Sequence, residues 1–315
     1  MTLDGLAIRD PDRNTQAVGP QITRYFVELD GRRVSYLKAG DSAAGHPILL
    51  IHGSGVSAGC WVNQLRGLRE ALQMTAIDLP GHGESDSIRT AGVEEYADTV
   101  AKFLKVLGSG PVIVVGHSLG GAVAIALAAR RPDTVSALVL LASCAKLPGV
   151  DSSRERWLAY LPGVLRRILY LSMAQKLLFA PGVPRYAVRL GMQELRSCRP
   201  ETIRKDLEAA KVMDVADQAA GLDVPTLILC GSRDRLTPPA LSERLRDLIP
   251  RSRLCIIDGA GHMLLLEVPE RVNQEVLNFA RSLTAQAAVP PVTVVQNRRG
   301  HSLVLRFFDW VRGLW

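Results

Sequence analysis

The segment that most constrains this 315-residue chain is a strand followed by a tight turn and a helix. Residues 112 to 115 are β-branched and apolar, the turn at residues 116 to 120 reads G-H-S-L-G, and an alanine-rich helical run follows. Such a turn holds its serine in a strained conformation, clear of the backbone, and side chains in place of the two glycines would collide across it. The pattern therefore predicts that Ser118 is a nucleophile.

Strand-like and helix-like patterns alternate on both sides of this turn. This alternation predicts a parallel sheet that is covered by helices on both faces. Asp30-Gly31 is a hairpin signal and predicts two antiparallel strands at the start of the fold. Between residues 143 and 221 the alternation stops, and prolines divide a helical pattern into several short helices. We expect this insertion to fold over the strand ends as a cap.

The patterns divide the chain into five parts. These are a flexible N-terminal arm (residues 1–20), the first part of the α/β core (21–142), a helical cap (143–221), the second part of the core (222–284), and a linker with an amphipathic C-terminal tail (285–315). Large apolar side chains of residues 301 to 315 share one helical face, with arginines elsewhere. We expect this tail either to attach peripherally to an anionic membrane or to dock on the protein itself or on a second copy.

Composition limits the class of protein. Hydrophobic residues make up 47% and charged residues 22% of the chain, as in ordinary soluble globular proteins. The net charge is +7, but the core has no basic run interleaved with aromatic residues, so we expect no nucleic-acid partner. The five cysteines follow no pairing or metal spacing, and the N-terminus lacks the apolar core of a signal peptide. We therefore expect a cytoplasmic protein, either free or attached peripherally to the membrane through the C-terminal tail.

Four motifs carry a resemblance to a known family. They are H-G-S-G at residues 52 to 55, the G-H-S-L-G turn, G-S-R-D-R-L-T-P-P at residues 231 to 239, and G-A-G-H-M at residues 259 to 263. In these motifs and in their order, the chain resembles the α/β-hydrolases over residues 21 to 284. The resemblance implies a mostly parallel, eight-stranded sheet with helices on both faces, a helical cap, and a catalytic triad of Ser118, Asp234 and His262.

The chemistry of the residues agrees with this triad. A serine hydroxyl must lose its proton to a base, and histidine is the side chain whose ordinary pKa lies near neutral pH. A carboxylate then fixes the imidazole tautomer. Asp258 is a rival acid, but it lies too close to His262 in sequence to come from a neighbouring strand end. Of the other histidines, His46 and His301 lie in surface-like contexts. His52, His82 and His117 lie inside turns, where a structural hydrogen bond is expected.

The resemblance also implies an oxyanion hole made by two backbone N–H groups. They belong to Leu119, after the nucleophile, and to Ser54, after His52-Gly53. The histidines and acids show no metal-ligand spacing, so we expect no metal and no cofactor.

The family contains several reactions that the elbow serine allows. We expect hydrolysis of a small-molecule carboxylic ester with a small or medium apolar acyl group, through an acyl-enzyme on Ser118. The segment from His52 to Trp61 also resembles carbon-carbon bond hydrolases of aromatic meta-cleavage products, although Val56, His117 and Met263 depart from their pattern. Cofactor-free haloperoxidases share the serine triad, so their activity is a further alternative. A non-catalytic ligand sensor is another, because a fold does not fix a function.

Overall fold

One sheet organises the part of the chain that the computed structural model describes, residues 16–19, 21–41, 47–147 and 163–288. Its strands are β1 (Gln16–Gly19), β2 (Ile22–Leu29), β3 (Arg32–Ala39), β4 (Ile48–Ile51), β5 (Met74–Ile77), β6 (Val112–His117), β7 (Val135–Leu141), β8 (Thr226–Gly231) and β9 (Ser252–Ile257). Within the described residues the strand order is β1-β2-β3-β5-β4-β6-β7-β8-β9. Neighbours pair antiparallel from β1 to β5 along this order and parallel from β5 to β9.

This topology confirms the predicted mostly parallel α/β sheet. The eight expected strands are β2 to β9, and β1 adds a ninth at the edge. The sequence predicts a flexible arm over residues 1 to 20, but Gln16–Gly19 pairs with β2 instead. The physical reason is that an edge strand offers unpaired N–H and C=O groups, which can pair with a short segment that has no apolar pattern of its own. Residues 1–15 lie outside the described residues.

The helices are α1 (Val62–Leu68), α2 (Val93–Val106), α3 (Leu119–Arg130), α4 (Gly163–Leu178), α5 (Arg185–Ser197), α6 (Pro200–Val212), α7 (Ala216–Ala220), α8 (Pro239–Leu248), α9 (Leu264–Glu267) and α10 (Pro269–Ala288). Helices α4 to α7 lie between β7 and β8 and form the insertion. Among the described residues, no helix combines the length and the apolar character that crossing a bilayer requires.

Helices cover both faces of the sheet because the strand side chains alternate between two apolar layers. Ile48 and Leu50 of β4 join the layer that contains α1 and α10. Leu49 and Ile51 point the other way and join the layer that contains α2, α3 and α8. A strand that is buried on both faces needs apolar side chains on both, so its sequence is a continuous apolar run. This explains why residues 48 to 51 are all apolar without alternation.

The insertion packs against the first of these layers. Phe179, Met192 and Leu195 are buried in the same apolar cluster as α1 and α10. The five cysteines are free thiols. Most of the C-terminal segment, residues 289–315, lies outside the described residues. Membrane attachment or self-association through residues 301–315 therefore stays a prediction, as do the domain boundaries.

Helix α3 lies unusually close to the sheet at its first turn. A Cβ atom added at Gly120 would collide with the main-chain carbonyl oxygens of Ile51 and His52. Neither oxygen can move without displacing the end of β4. Gly120 therefore sets the distance between α3 and the central strands.

We predict that Gly120→Ala lowers the free energy of unfolding by about 3 kcal/mol, because an extra methyl group has no space at this contact. Gly110→Ala is the matched control, since Gly110 is exposed and an added Cβ would have no neighbour within 4 Å. The control should stay within about 0.5 kcal/mol of the wild type. Urea unfolding followed by circular dichroism measures both, and equal stability of the two variants would contradict this packing.

Candidate active site

The serine of the predicted nucleophile turn lies in a strained conformation between β6 and α3. Ser118 has φ 53° and ψ −120°, a backbone conformation that side chains other than glycine rarely adopt. Its N–H donates to the Leu141 carbonyl at 2.9 Å, and its own carbonyl accepts from the Gly121 N–H and from the Ser143 hydroxyl, both at 2.9 Å. These hydrogen bonds hold the turn against the strain, and the Ser118 residue remains partly exposed.

The predicted acid and base are in direct contact. Asp234 follows β8 and His262 follows β9, and these strands are parallel neighbours. His262 Nδ1 donates to Asp234 Oδ2 at 2.9 Å, and the two residues are 2% and 4% exposed. Because Nδ1 carries the proton in this pair, the neutral imidazole leaves Nε2 free to accept one.

Asp234 is held as a carboxylate by a small set of donors. Its Oδ1 accepts from the N–H groups of Leu236 at 2.8 Å and Thr237 at 2.9 Å. The Thr237 hydroxyl lies 2.8 Å from Oδ2 and 3.2 Å from His262 Nδ1. Burial alone would raise the pKa of Asp234, but the adjacent His262 and these hydrogen bonds outweigh burial and lower it. The acid therefore stays ionised at neutral pH.

His117, next to the serine, links the elbow to the base. Its Nε2 donates to the His262 carbonyl at 3.0 Å, and the two ring centroids are 5.0 Å apart. Burial and the neighbouring His262 lower the pKa of His117 to about 3, so this ring is neutral. Among the described residues, no hydrogen bond joins the Ser118 hydroxyl to His262. In serine hydrolases this bond often tightens only when substrate binds.

Two backbone N–H groups beside the elbow are available as donors. The end of β4 approaches the turn so closely that a Cβ on Gly53 would lie 3.0 Å from the Ser118 Cβ. The next residue is Ser54, and Leu119 opens α3. Within the described residues, neither the Ser54 nor the Leu119 N–H donates a hydrogen bond. The two amides predicted to form the oxyanion hole lie at neighbouring strand ends.

The remaining candidates have structural contacts. His52 Nδ1 donates to the Gly53 carbonyl at 2.8 Å, and its Nε2 accepts from the Leu79 N–H at 3.0 Å. Burial and the nearby His82 lower the pKa of His52 to about 4. Asp258 is exposed and accepts from the Ser232 hydroxyl at 3.0 Å. His46 and His301 lie outside the described residues.

With this geometry in place, comparison with known proteins identifies the family. The model of the alpha/beta hydrolase fold family matches residues 46–269. The chain belongs to the α/β-hydrolase family. It is a hydrolase.

Several hydrolases are similar to this one over most of their length. A pimeloyl-(acyl-carrier protein) methyl ester esterase of Neisseria meningitidis is 31% identical over 231 residues, which cover 71% of this chain and 89% of that protein. A solved thermophilic esterase is 32% identical, with a TM-score of 0.71 and coverage of 83% of this chain and 98% of that one. A thermophilic esterase from Thermogutta terrifontis is 28% identical, with a TM-score of 0.72 and coverage of 82% and 98%.

A buried glutamate that the sequence patterns did not predict supports the main chain around His262, the predicted base. Glu267 accepts from the N–H groups of Gly261 at 2.8 Å and Met263 at 3.1 Å, and so holds the main chain on both sides of His262. It also accepts from the Ala180 N–H, at the end of α4, at 3.4 Å. Burial raises the pKa of Glu267. The signal in the sequence was a single acidic residue inside an apolar run, L-L-L-E-V.

Two acidic residues of the insertion were also missed. Glu194 of α5 accepts from the Ser57 N–H at 2.9 Å and from the Ser57 hydroxyl at 2.6 Å. Asp206 of α6 is fully buried against the same loop and accepts from the Gly55 N–H at 3.3 Å. Both lie in helices whose charged residues are typical of a solvated surface, so no local pattern indicates these contacts.

Apolar side chains of the insertion also pack on this loop. A Cβ added at Gly55 would lie 2.8 Å from Leu195 and 3.8 Å from Ile203, so the insertion packs directly on the loop that follows β4. Phe179 is buried and contacts Gly191, whereas Met173 is 38% exposed. Tyr160 and the side chain of Tyr170 lie outside what the structure describes.

A surface groove of about 530 Å³ lies elsewhere on the hydrolase, between α1, α5 and α10. Its lining includes Asn63, Arg66, Tyr186 and Asn273. None of its lining residues is a candidate catalytic residue, so this groove does not mark the site.

The strain at the elbow leads to a stability prediction. We expect Ser118→Gly to be more stable than Ser118→Ala by about 1 kcal/mol, because glycine adopts a positive φ without strain and alanine does not. Both variants lose the hydroxyl, so the difference between their unfolding free energies reports the backbone strain at residue 118. Urea unfolding midpoints measure it.

Ser252, in the extended strand β9, provides the control for this comparison. There the order should reverse, with the glycine variant less stable than the alanine variant, because glycine loses more conformational freedom on folding. The same order at both positions would show that residue 118 is not strained.

Proposed function

We propose that this hydrolase cleaves carboxylic esters through a covalent acyl-enzyme on Ser118. The observation that carries the proposal is the Asp234–His262 pair, 2.9 Å apart and buried, at the strand ends beside a strained serine turn. The esterase relatives support this class of reaction, and the three side chains supply the nucleophile, base and acid that it requires.

In the proposed acylation step, His262 Nε2 takes the proton of the Ser118 hydroxyl while the Ser118 oxygen bonds to the ester carbonyl carbon. The carbonyl oxygen becomes an oxyanion and accepts from the Ser54 and Leu119 N–H groups. The carbon-oxygen bond to the alcohol then breaks, and the proton on His262 passes to the leaving alcohol. The serine is left bound to the acyl group.

Deacylation repeats these steps with water as the nucleophile. His262 takes a proton from water, the hydroxide adds to the acyl carbon, and the bond to Ser118 breaks as the serine regains its proton. The products are a carboxylic acid and the free enzyme. Asp234 keeps its charge throughout and stabilises the imidazolium that forms twice in each turnover. Its lowered pKa supports this role.

We propose a small or medium apolar acyl group as the preferred substrate. Leu195 and Ile203 of the insertion pack on the loop that carries Ser54, which supports an apolar surface beside the oxyanion hole. An ester carbonyl bound there would have these aliphatic side chains beside its acyl chain.

We predict that the wild type hydrolyses p-nitrophenyl butyrate and that Ser118→Ala lowers kcat by at least about 10⁴-fold, because loss of the nucleophile removes the covalent route. Ser282→Ala, on α10, is the matched control and should keep the wild-type rate. A fluorophosphonate probe followed by peptide mass mapping should place the adduct on Ser118.

Equal rates for the wild type and Ser118→Ala would remove the enzymatic proposal and favour a ligand sensor. A wild type that cleaves a vinylogous diketone acid faster than any ester would instead favour carbon-carbon bond hydrolysis. Both substrates are therefore assayed on the same preparation.

A further inference from the structure

A carboxylate from the insertion lies completely buried behind the loop that follows β4. Asp206, on α6, is 0% exposed. Its Oδ1 accepts from the Tyr96 hydroxyl at 2.7 Å, and its Oδ2 accepts from His82 Nε2 at 2.9 Å. His82 Nδ1 faces the Pro80 carbonyl at 3.2 Å, so both ring nitrogens meet acceptors. The carboxylate therefore has a strong partner on each oxygen.

The same carboxylate contacts the loop that carries the proposed oxyanion donor. Asp206 Oδ2 also accepts from the Gly55 N–H at 3.3 Å, and the Ser54 side chain faces it. The Gly55 N–H belongs to the peptide group that directly follows Ser54. Gly55 itself has φ 72°, a left-handed conformation. The Ser54 N–H lies in the preceding peptide group, so holding the following peptide plane restricts rotation about Ser54 and with it the direction of the Ser54 N–H.

Burial disfavours the charged form of Asp206, but the hydrogen bonds from His82, Tyr96 and Ser54 outweigh burial and lower its pKa. Asp206 is thus ionised at neutral pH and accepts several hydrogen bonds at once. An asparagine of the same shape would offer one acceptor oxygen and present N–H donors to groups that need an acceptor.

Docking of α6 does not depend on Asp206 alone. The Thr202 hydroxyl, one turn earlier, donates to the Gly81 carbonyl at 3.0 Å. Lys205 donates to the Ile88 carbonyl at 3.1 Å, and Arg199 to the Ser85 carbonyl at 3.4 Å. These three contacts hold α6 on the loop after β5. Ile203 of α6 also packs near Gly55, and among these polar contacts of α6 Asp206 provides the hydrogen bond to the Ser54–Gly55 segment.

We propose that Asp206 is a positioning residue that aligns the Ser54 N–H of the oxyanion hole, so that the insertion completes the hydrolytic site. This inference rests on the proposed ester hydrolysis. It assigns to the insertion a part in stabilising the transition state, in addition to covering the site.

The test compares Asp206→Asn with two controls from the same helix. Thr202→Val removes a docking contact that does not touch the oxyanion loop. Glu208→Gln removes one negative charge from an exposed residue that pairs with Arg204. All variants are assayed with p-nitrophenyl butyrate and with an aryl trifluoromethyl ketone, whose hydrated or serine-bound oxyanion mimics the transition state.

We expect Asp206→Asn to lower kcat by about 30-fold, below the loss caused by removing a whole oxyanion donor, with KM changed by less than about twofold. The inhibition constant of the ketone should rise by a similar factor, because both depend on the aligned Ser54 N–H. Thr202→Val and Glu208→Gln should change kcat and the inhibition constant by less than about threefold.

The inference is overturned if Asp206→Asn keeps the wild-type kcat, if its kcat falls while ketone binding does not, or if Thr202→Val produces the same losses. Thermal unfolding is measured for every variant. If Asp206→Asn does not fold, Tyr96→Phe takes its place, because it leaves Asp206 Oδ1 without its donor. It should weaken kcat and ketone binding together by about tenfold, beyond the range of the controls, and changes within the control range overturn the inference.

Failure of the proposed function gives a different result. In that case the wild type itself hydrolyses no ester and takes no fluorophosphonate label on Ser118. If the wild type is active and labelled while Asp206→Asn matches it, the proposed function stands and the inference about Asp206 is wrong.

Discussion

The close approach of α3 to the ends of β4 and β6 is the constraint on which the rest of the site depends. A Cβ on Gly116 or Gly120 would collide with main-chain atoms across this contact. The turn between strand and helix is therefore short, and Ser118 must take a positive φ that costs about 1 to 3 kcal/mol. Hydrogen bonds to the neighbouring strand ends, such as Ser118 N–H to the Leu141 carbonyl, offset this cost. The parallel register that fixes those ends also places Asp234 and His262, the proposed acid and base, at the ends of neighbouring strands.

Two buried carboxylates flank the base and differ in what they contact. Asp234 contacts the imidazole itself, and His262 together with hydrogen bonds overcomes burial and lowers the pKa of Asp234. Among the described residues, Glu267 accepts only from main-chain N–H groups, and burial raises its pKa. A carboxylate that stays charged suits stabilisation of an imidazolium, whereas Glu267 suits holding the His262 backbone in place. The neutral His117 completes the support through the His262 carbonyl.

Local patterns predicted the strands from β2 onward and the residues that follow them, because a strand end fixes where its next residues lie. Ser118, Asp234 and His262 could all be located in this way. The contacts of Asp206 and Glu194 could not, because they depend on how the insertion docks. Asp206 follows Lys205 and precedes Glu208 in a helix rich in charge, a pattern typical of a solvated face. Its burial arises from tertiary packing. The short strand β1 was missed for a related reason, since its pairing depends on the free edge of β2.

The loop after β4 presents an electrostatic problem that its surroundings resolve. Asp206, Glu194 and Asp78 accept from the N–H groups of Gly55, Ser57 and Ala58, respectively. An unpaired carboxylate close to a developing oxyanion would oppose it electrostatically. Asp78 is paired with the guanidinium of Arg24 at 2.6 Å, which offsets its charge, and Asp206 shares its oxygens with the Tyr96 hydroxyl at 2.7 Å and His82 Nε2 at 2.9 Å. These partners keep the hydrogen bonds to the loop in place. In the proposed mechanism, the loop held in this way donates the Ser54 N–H to the oxyanion.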